Sequence, residues 1–225
     1  MCARLERLEL DVRALESAGI DGFHVDMVDG RFSETLVLGF PTLAALRRCT
    51  ALPLDVHLMV ADPAPLLAQC AEAGAAAATV HLEACTHINR VLRRIHTQGM
   101  RSGVALSPTS YVDALAFLDE EPAMVLLMAV EPGYAGGRYL PSAVRKCAQV
   151  RALLDARGWR TDLAVDGHIC PDTVRAFAGA GADTFVGGTT GLFVPDRDFA
   201  SCIGDLRQAY IAGRGDDHAS RSPAV

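Results

Sequence analysis

The sequence predicts a single α/β domain with the architecture of a (β/α)8 TIM barrel that lacks its first β-strand at the N-terminus. Three observations support this prediction. Seven short apolar runs, several rich in β-branched residues, recur at intervals of roughly 20 to 40 residues. Amphipathic, alanine-rich stretches separate them, and strands that alternate with helices form parallel sheets. The chain also opens on a helix, so the count of seven strands and about eight helices is one strand short of a barrel.

Each element has a local signature. The first helix carries apolar residues at Leu5, Leu8, Val12 and Leu15, which is the spacing of one helical face. Prolines open several later helices, and glycines follow the helix ends. A doubly wound sheet is the alternative, but it collects its site at a crevice between two strands rather than around a ring. The predicted strands are Ile20–Asp26, Leu54–Met59, Ala78–Glu83, Ser102–Leu106, Met124–Val130, Asp162–Asp166 and Asp183–Gly187.

Length and composition set limits on organisation and partners. Residues 1–212 are predicted to form the single barrel domain, and the polar, aperiodic segment 213–225 is predicted to be disordered. A net charge of −6 gives no basic surface for nucleic acid. No apolar run reaches the roughly 18 residues that a membrane span needs, and the N-terminus lacks a signal sequence. Seven scattered cysteines without a Cys-x-x-Cys pair indicate reduced thiols, so we expect a cytoplasmic protein.

Ligand-type side chains stand at the ends of three predicted strands. His24 and Asp26 end the first, His57 lies near the end of the second, and Asp166 ends the sixth. Imidazole and carboxylate groups suit a divalent transition metal, and a carboxylate is also a competent general base. A lone histidine at a strand end is usually a satisfied buried polar group. Four such residues at one layer of three strands favour a metal site, because a core gains nothing from repeated ionisable groups.

Glycine-bearing turns follow three late strands and indicate an anion site. They are Glu131–Gly137, Asp166–His168 and Gly187–Gly191, the last of which adds the hydroxyls of Thr189 and Thr190. Glycine lets backbone N–H groups approach an anion closely, and barrels often bind phosphate after their last two strands. The chain's single lysine, Lys146, lies in a predicted helix. A Schiff-base aldolase needs a lysine on a strand, so we do not expect that chemistry.

Taken together, these motifs resemble the ribulose-phosphate 3-epimerase family from about Leu5 to Phe193. The segments that match are His24–Gly30, Pro53–Met59, Thr79–Ala84, Pro132–Gly137 and Val165–Gly167. The resemblance implies a metal-dependent isomerase that epimerises C3 of a ketose phosphate, D-ribulose 5-phosphate to D-xylulose 5-phosphate, through a 2,3-enediolate. It also implies one Zn²⁺, or Fe²⁺, Mn²⁺ or Co²⁺ in its place, bound by His24, Asp26, His57 and Asp166.

The same resemblance assigns roles to further residues. Asp26 and Asp166 would transfer protons on opposite faces of the sugar. We also expect a homo-oligomer whose partner is a sugar phosphate and which binds neither nucleic acid nor a membrane. The residues implied to contact the sugar or its phosphate are His57, Met59, Met128, Gly133, Gly136, Gly167, Gly188, Thr189 and Thr190.

Several features depart from the family pattern. The family's first strand carries a serine that contacts the substrate, so either translation starts upstream of Met1 or the barrel lacks this strand. Met27 and Val28 stand in the reverse of the family order, and His168 replaces a glycine. At the flexible loop, Glu131 replaces an asparagine and Gly137 a glutamine.

Two alternatives follow. The string Gly188–Phe193 is closer to the related allulose-6-phosphate 3-epimerases, and the departures also fit a catalytically silent phosphate-binding barrel.

Overall fold

A computed structural model of the chain describes residues 2–37, 39–134 and 136–215. Its strands are β1 Phe23–Asp29, β2 Leu36–Val37, β3 Leu54–Met59, β4 Ala77–His81, β5 Arg101–Leu106, β6 Met124–Met128, β7 Asp162–Asp166 and β8 Thr184–Val186. Its α-helices are α1 Leu8–Ala18, α2 Phe40–Cys49, α3 Leu67–Glu72, α4 Ile88–Thr97, α5 Ser142–Ala156, α6 Pro171–Gly179 and α7 Phe199–Arg214.

The strands form one curved sheet in the order β2-β1-β3-β4-β5-β6-β7-β8. All neighbouring pairs are parallel except the short antiparallel pair of β1 and β2. The seven predicted strands are therefore confirmed, although β1 begins at Phe23 rather than at Ile20. The two-residue strand β2 was not predicted, because a run this short has no readable alternation. Between β5 and β6 the chain forms a 3-10 helix, Val112–Phe117, in place of an α-helix.

The barrel is open where its first strand would lie. Among the described residues no strand pairs with β8 on its outer side, and β1 carries only β2 there. Helices α1 and α7 cover this side from outside through a small apolar cluster that includes Leu15, Ile20 and Ile203. The predicted barrel fold without its first strand is confirmed in this form.

Alternation along the strands divides the core into two layers. Residues such as Val56, Leu58 and Val80 face outward into the main core between the sheet and the helices. A smaller inner cluster, with Leu126 and Met128 among its members, fills part of the interior. Because successive side chains alternate across a strand, His24 and Asp26 on β1 share the inward face.

The last helix corrects the predicted domain boundary. Helix α7 continues through Gly213 and Arg214, two residues into the segment that was expected to be disordered. The reason is tertiary, since Arg214 Nη2 lies 2.8 Å from the buried carboxylate of Asp183 and the guanidinium stacks over Tyr210. Residues 216–225, to which the prediction of disorder also applied, lie outside the described residues. Within the described part, no helix is long and apolar enough to span a bilayer.

Candidate metal centre and active site

The structure brings the four predicted ligands together at the carboxyl ends of the strands. One ligand atom from each of His24, Asp26, His57 and Asp166 lies within 4.8 Å of the other three. The parallel register places Asp26 directly beside His57, and β7 contributes Asp166 from across the open side of the ring. This is the expected consequence of parallel strands, whose carboxyl ends meet at one face.

Two imidazole nitrogens point at this centre. Nε2 of His24 is buried and has no hydrogen-bond partner among the described residues, and it lies 3.5 Å from Oδ1 of Asp26. Nδ1 of His57 lies 3.2 Å from the same oxygen. A buried nitrogen without a partner is unfavourable, and a cation at this point would satisfy it. Because two imidazoles and two carboxylates also suit a divalent transition metal, the residues present fit the implied metal.

The electrostatic environment gives the two histidines very different pKa values. Burial lowers the pKa of His24, but its hydrogen bond to Asp55 and the nearby carboxylates outweigh burial and raise this pKa to about 9. Burial likewise lowers the pKa of His57, and here it prevails, so that the pKa falls to about 4. His24 therefore carries a proton that a metal must displace, whereas His57 is neutral at pH 7.

The pKa values of the two aspartates are shifted in opposite directions. Burial raises the pKa of Asp26, but the hydrogen bond from His57 and the charge of His24 outweigh it and lower the pKa to about 2. The pKa of Asp166 rises to about 6, because its carboxyl group is buried and faces the negative charge of Asp26. Carboxyl groups whose pKa values are pushed apart are typical of acid and base pairs.

A carboxylate behind His24 fixes the orientation of its ring. Oδ2 of Asp55 lies 2.8 Å from Nδ1 of His24, and Oδ1 of Asp55 accepts a hydrogen bond of 2.9 Å from the hydroxyl of Thr79. With Nδ1 donating to Asp55, the proton that a metal displaces is the one on Nε2, and its loss leaves the lone pair of His24 facing the centre. The sequence interpretation gave Asp55 no role. Its position two residues before His57, on the same face of β3, was the available signal.

The centre opens into a cavity of about 850 Å³ that runs through the interior of the unclosed barrel. The cavity is large enough for a small phosphorylated sugar. His57 is fully buried behind its wall and does not line it. The predicted residues that do line it are His24, Asp26, Met59, Met128, Gly133, Gly136, Asp166, Gly167, Gly188, Thr189 and Thr190.

Glycine conformations shape the predicted phosphate end of the cavity. Gly167 has φ +104°, and an added Cβ would lie only 2.6 Å from Val130, so the turn after β7 requires glycine. The hydroxyl of Thr190 donates a 3.0 Å hydrogen bond to the Ile169 carbonyl and joins two of the turns. The Thr190 hydroxyl therefore already donates its hydrogen within the protein rather than to a ligand. His168, at φ +53°, lines the same end and stacks on Tyr139.

Two loops beside the cavity contact each other. Tyr134 donates a 3.3 Å hydrogen bond to Glu34. A Cβ on Gly133, which has φ +97°, would overlap the side chain of Ser33. The glycine of the predicted flexible loop therefore permits close contact with the loop after β1.

The sequence of the chain is similar to a family profile and to individual known proteins. The Ribulose-phosphate 3 epimerase family profile matches residues 1–193. The ribulose-phosphate 3-epimerase of Bacillus subtilis (strain 168) is 35% identical over 198 residues, which cover 88% of this chain and 90% of that protein. The enzyme of the same name from Rhodospirillum rubrum is 39% identical over 201 residues, 89% and 87% of the two chains. The chain belongs to the ribulose-phosphate 3-epimerase family.

Membership confirms the predicted family and the assignment to the isomerases. Solved structures extend the comparison at the level of fold. A mutant α-subunit of tryptophan synthase from Pyrococcus furiosus superposes with a TM-score of 0.62 at 14% identity, covering 91% of this chain and 92% of that one. The α-subunit from Legionella pneumophila gives a TM-score of 0.58, also at 14% identity. At this identity the likeness concerns the barrel architecture alone.

Proposed function

We propose that this protein epimerises C3 of a ketose phosphate and that its substrate is D-ribulose 5-phosphate, converted to D-xylulose 5-phosphate. The observation that carries the proposal is the convergence of two imidazoles and two carboxylates beside a cavity that glycine-rich turns also line, with the pKa of one carboxyl group lowered and that of the other raised. Family membership supports the same reaction class.

The reaction requires a proton to leave one face of C3 and another to arrive on the opposite face. A proton beside a ketone is a very weak acid, so the base must be ionised and held in contact with the carbon. Asp26 meets the first condition, because its pKa is lowered to about 2. We assign it the removal of the C3 proton from ribulose 5-phosphate. Asp166, whose pKa is raised to about 6, supplies the proton to the other face. In the reverse direction the roles exchange.

A divalent cation, Zn²⁺ in our proposal, would be held by His24, Asp26, His57 and Asp166 and would supply Lewis-acid stabilisation of the negative charge on O2 and O3 of the 2,3-enediolate. The remaining contributions come from the chain. Met59 and Met128 keep the wall near the reacting carbons apolar, and both are almost fully buried. Gly167, Gly188 and Thr189 line the end of the cavity where we place the phosphate.

A second candidate is epimerisation of D-allulose 6-phosphate, and the resemblance of the Gly188–Phe193 string to that branch favours it. The chemistry at C3 would be the same, with one more carbon in the sugar. An experiment in D2O separates the candidates. Metal-loaded protein and chelator-treated protein are incubated with each sugar phosphate, and deuterium at C3 is followed by NMR.

We expect exchange at C3 of ribulose 5-phosphate that requires the metal. Faster exchange into allulose 6-phosphate would assign the hexose substrate instead. Absence of exchange from both sugars, with metal bound, would show that the protein is a silent barrel. Asp26→Asn and Asp166→Asn are each expected to abolish exchange. Glu72→Gln, at an exposed residue near the end of α3, is the control.

A further inference from the structure

We propose that His81 and Glu83 are positioning residues that select the tautomer of His57, so that its Nδ1 lone pair faces the metal centre. The inference rests on the proposed metal-dependent function and adds two residues to it. Neither is among the four ligands. His81 is the last residue of β4, the strand beside β3, and Glu83 lies in the 3-10 helix Leu82–Ala84 that follows.

The three side chains form a continuous chain of hydrogen-bonding atoms. Nε2 of His57 lies 2.9 Å from Nε2 of His81, and Nδ1 of His81 lies 3.0 Å from Oε2 of Glu83. The two imidazole rings are stacked, with centroids 5.0 Å apart. Both histidines are fully buried, so water does not compete for these nitrogens. Buried polar groups of this kind depend on one another for their hydrogen bonds.

Counting hydrogens defines the tautomers. A neutral imidazole has one N–H donor and one acceptor nitrogen, whereas an ionised carboxylate only accepts. When Nδ1 of His57 gives its lone pair to a cation, the single hydrogen of this neutral ring is on Nε2 and is donated to His81. Nε2 of His81 then accepts, and the hydrogen on its Nδ1 is donated to Glu83. Without a cation, Nδ1 of His57 donates to Oδ1 of Asp26 at 3.2 Å. Glu83, acting through His81, favours the other tautomer, which the cation needs.

Glu83 is itself held in place by the turn after β5. Its Oε1 accepts a 2.9 Å hydrogen bond from the backbone N–H of Ser107 and a further hydrogen bond from the hydroxyl of Ser110. The ammonium group of Lys146, from α5, donates to the carbonyls of Ser107 and Pro108 at 2.5 and 3.3 Å. Hydrogen bonds from this turn therefore fix the position of the Glu83 carboxylate. A glutamate that only filled space at the surface would not need these hydrogen bonds.

The two histidine ligands thus use opposite nitrogens, each chosen by a carboxylate. Asp55 contacts His24 directly, whereas Glu83 acts on His57 through His81. Carboxylates behind metal-ligating histidines raise ligand basicity, and their removal typically weakens metal binding about 10- to 100-fold. The same range is expected for Glu83.

The test measures metal binding and proton position rather than turnover. Co²⁺ affinity is determined by competition with a chelator for wild type, Glu83→Gln and His81→Gln. Glu83→Gln keeps the size of the side chain but removes its charge. His81→Gln keeps an acceptor near His57 but breaks the link to Glu83. We expect each variant to weaken binding about tenfold or more, and the double variant no further, because both act through one chain of contacts.

The matched control is Glu120→Gln. Glu120 lies 3.2 Å from Nδ1 of His96, whose Nε2 contacts Ser102 at 2.8 Å, so the same type of pair occurs on the surface. Its loss is expected to leave Co²⁺ affinity unchanged. As a spectroscopic readout, ¹⁵N-histidine NMR of Zn²⁺-loaded wild type should show His81 with its hydrogen on Nδ1. In Glu83→Gln this signal should change. Urea unfolding of the metal-free variants checks that each is folded.

Several results would overturn the inference. One is wild-type Co²⁺ affinity in folded Glu83→Gln, and another is an Nε2–H tautomer of His81 in the Zn²⁺-loaded protein. Wild-type protein that bound no Co²⁺ would overturn it together with the metal part of the proposed function. Protein that bound Co²⁺ with the expected losses, yet exchanged no sugar proton, would overturn the proposed reaction and support the role of His81 and Glu83.

Discussion

Replacing Asp166 by asparagine is expected to stabilise the metal-free fold while it abolishes proton exchange. The pKa of Asp166 rises from its ordinary value near 3.8 to about 6 in the fold, owing to burial and the charge of Asp26. A carboxyl group with a raised pKa favours the folded state when protonated, so its contribution is complete below pH 3.8 and is lost as the pH rises through about 6. Asparagine is neutral at every pH and avoids this loss.

The size of the effect follows from the shift. At pH 8 the ionised Asp166 side chain costs up to about 3 kcal/mol of folding free energy, and at pH 4.5 about 1 kcal/mol. Urea unfolding of metal-free wild type and Asp166→Asn at both pH values measures the difference. The variant should be the more stable protein, with a margin that shrinks on acidification. C3 deuterium exchange should fall by roughly 10²-fold or more, since a positioned general acid or base contributes that much.

Either half of this prediction can fail on its own. A variant less stable than wild type at pH 8 would contradict the repulsion between Asp26 and Asp166. Wild-type exchange in the variant would contradict the mechanism with two carboxylates. Glu72→Gln, at an exposed carboxylate, should change neither quantity.

Three further predictions concern the same site. A cation must displace the proton of His24, whose pKa is about 9. Co²⁺ affinity should therefore rise about tenfold per pH unit from pH 6 to 9, and more steeply below pH 6, where Asp166 is protonated as well. A Co²⁺ affinity that did not change with pH in a chelator-competition assay would contradict these pKa values. Asp55→Asn should weaken Co²⁺ binding about 10- to 100-fold in the same titration, and an unchanged dissociation constant would show that Asp55 does not orient His24. Gly188→Ala should keep the wild-type Tm, because its Cβ meets nothing nearer than Cys2 at 3.7 Å, yet raise KM for the sugar phosphate about tenfold; an unchanged KM would move the phosphate elsewhere.

Much of the fold could be predicted because its signals are local. The apolar runs of β3, β5 and β7 are bounded by helix and turn residues, and each lies within one or two residues of its predicted limits. The tertiary structure differs from the prediction where residues distant in the chain, rather than neighbours in sequence, determine where an element ends. The end of α7 is set by the contact of Arg214 with Asp183 on another part of the barrel, and no local pattern could place it.

The site divides in the same way. Strand alternation and parallel topology are properties of the chain, so the sequence by itself determined that His24, Asp26, His57 and Asp166 would meet at one face. Only the tertiary structure decided what surrounds each of them. A pKa or a tautomer depends on atoms within a few ångströms, and those atoms come from strands far apart in the chain.

For that reason the sequence interpretation assigned no role to Asp55, His81 or Glu83, although all three lie in segments that match the family. Their function depends on which ring nitrogen each one contacts. The open side of the barrel follows the same logic. The chain shows one strand fewer than a barrel needs, but only the packed structure shows that α1 and α7 cover that side while the sheet itself stays unclosed.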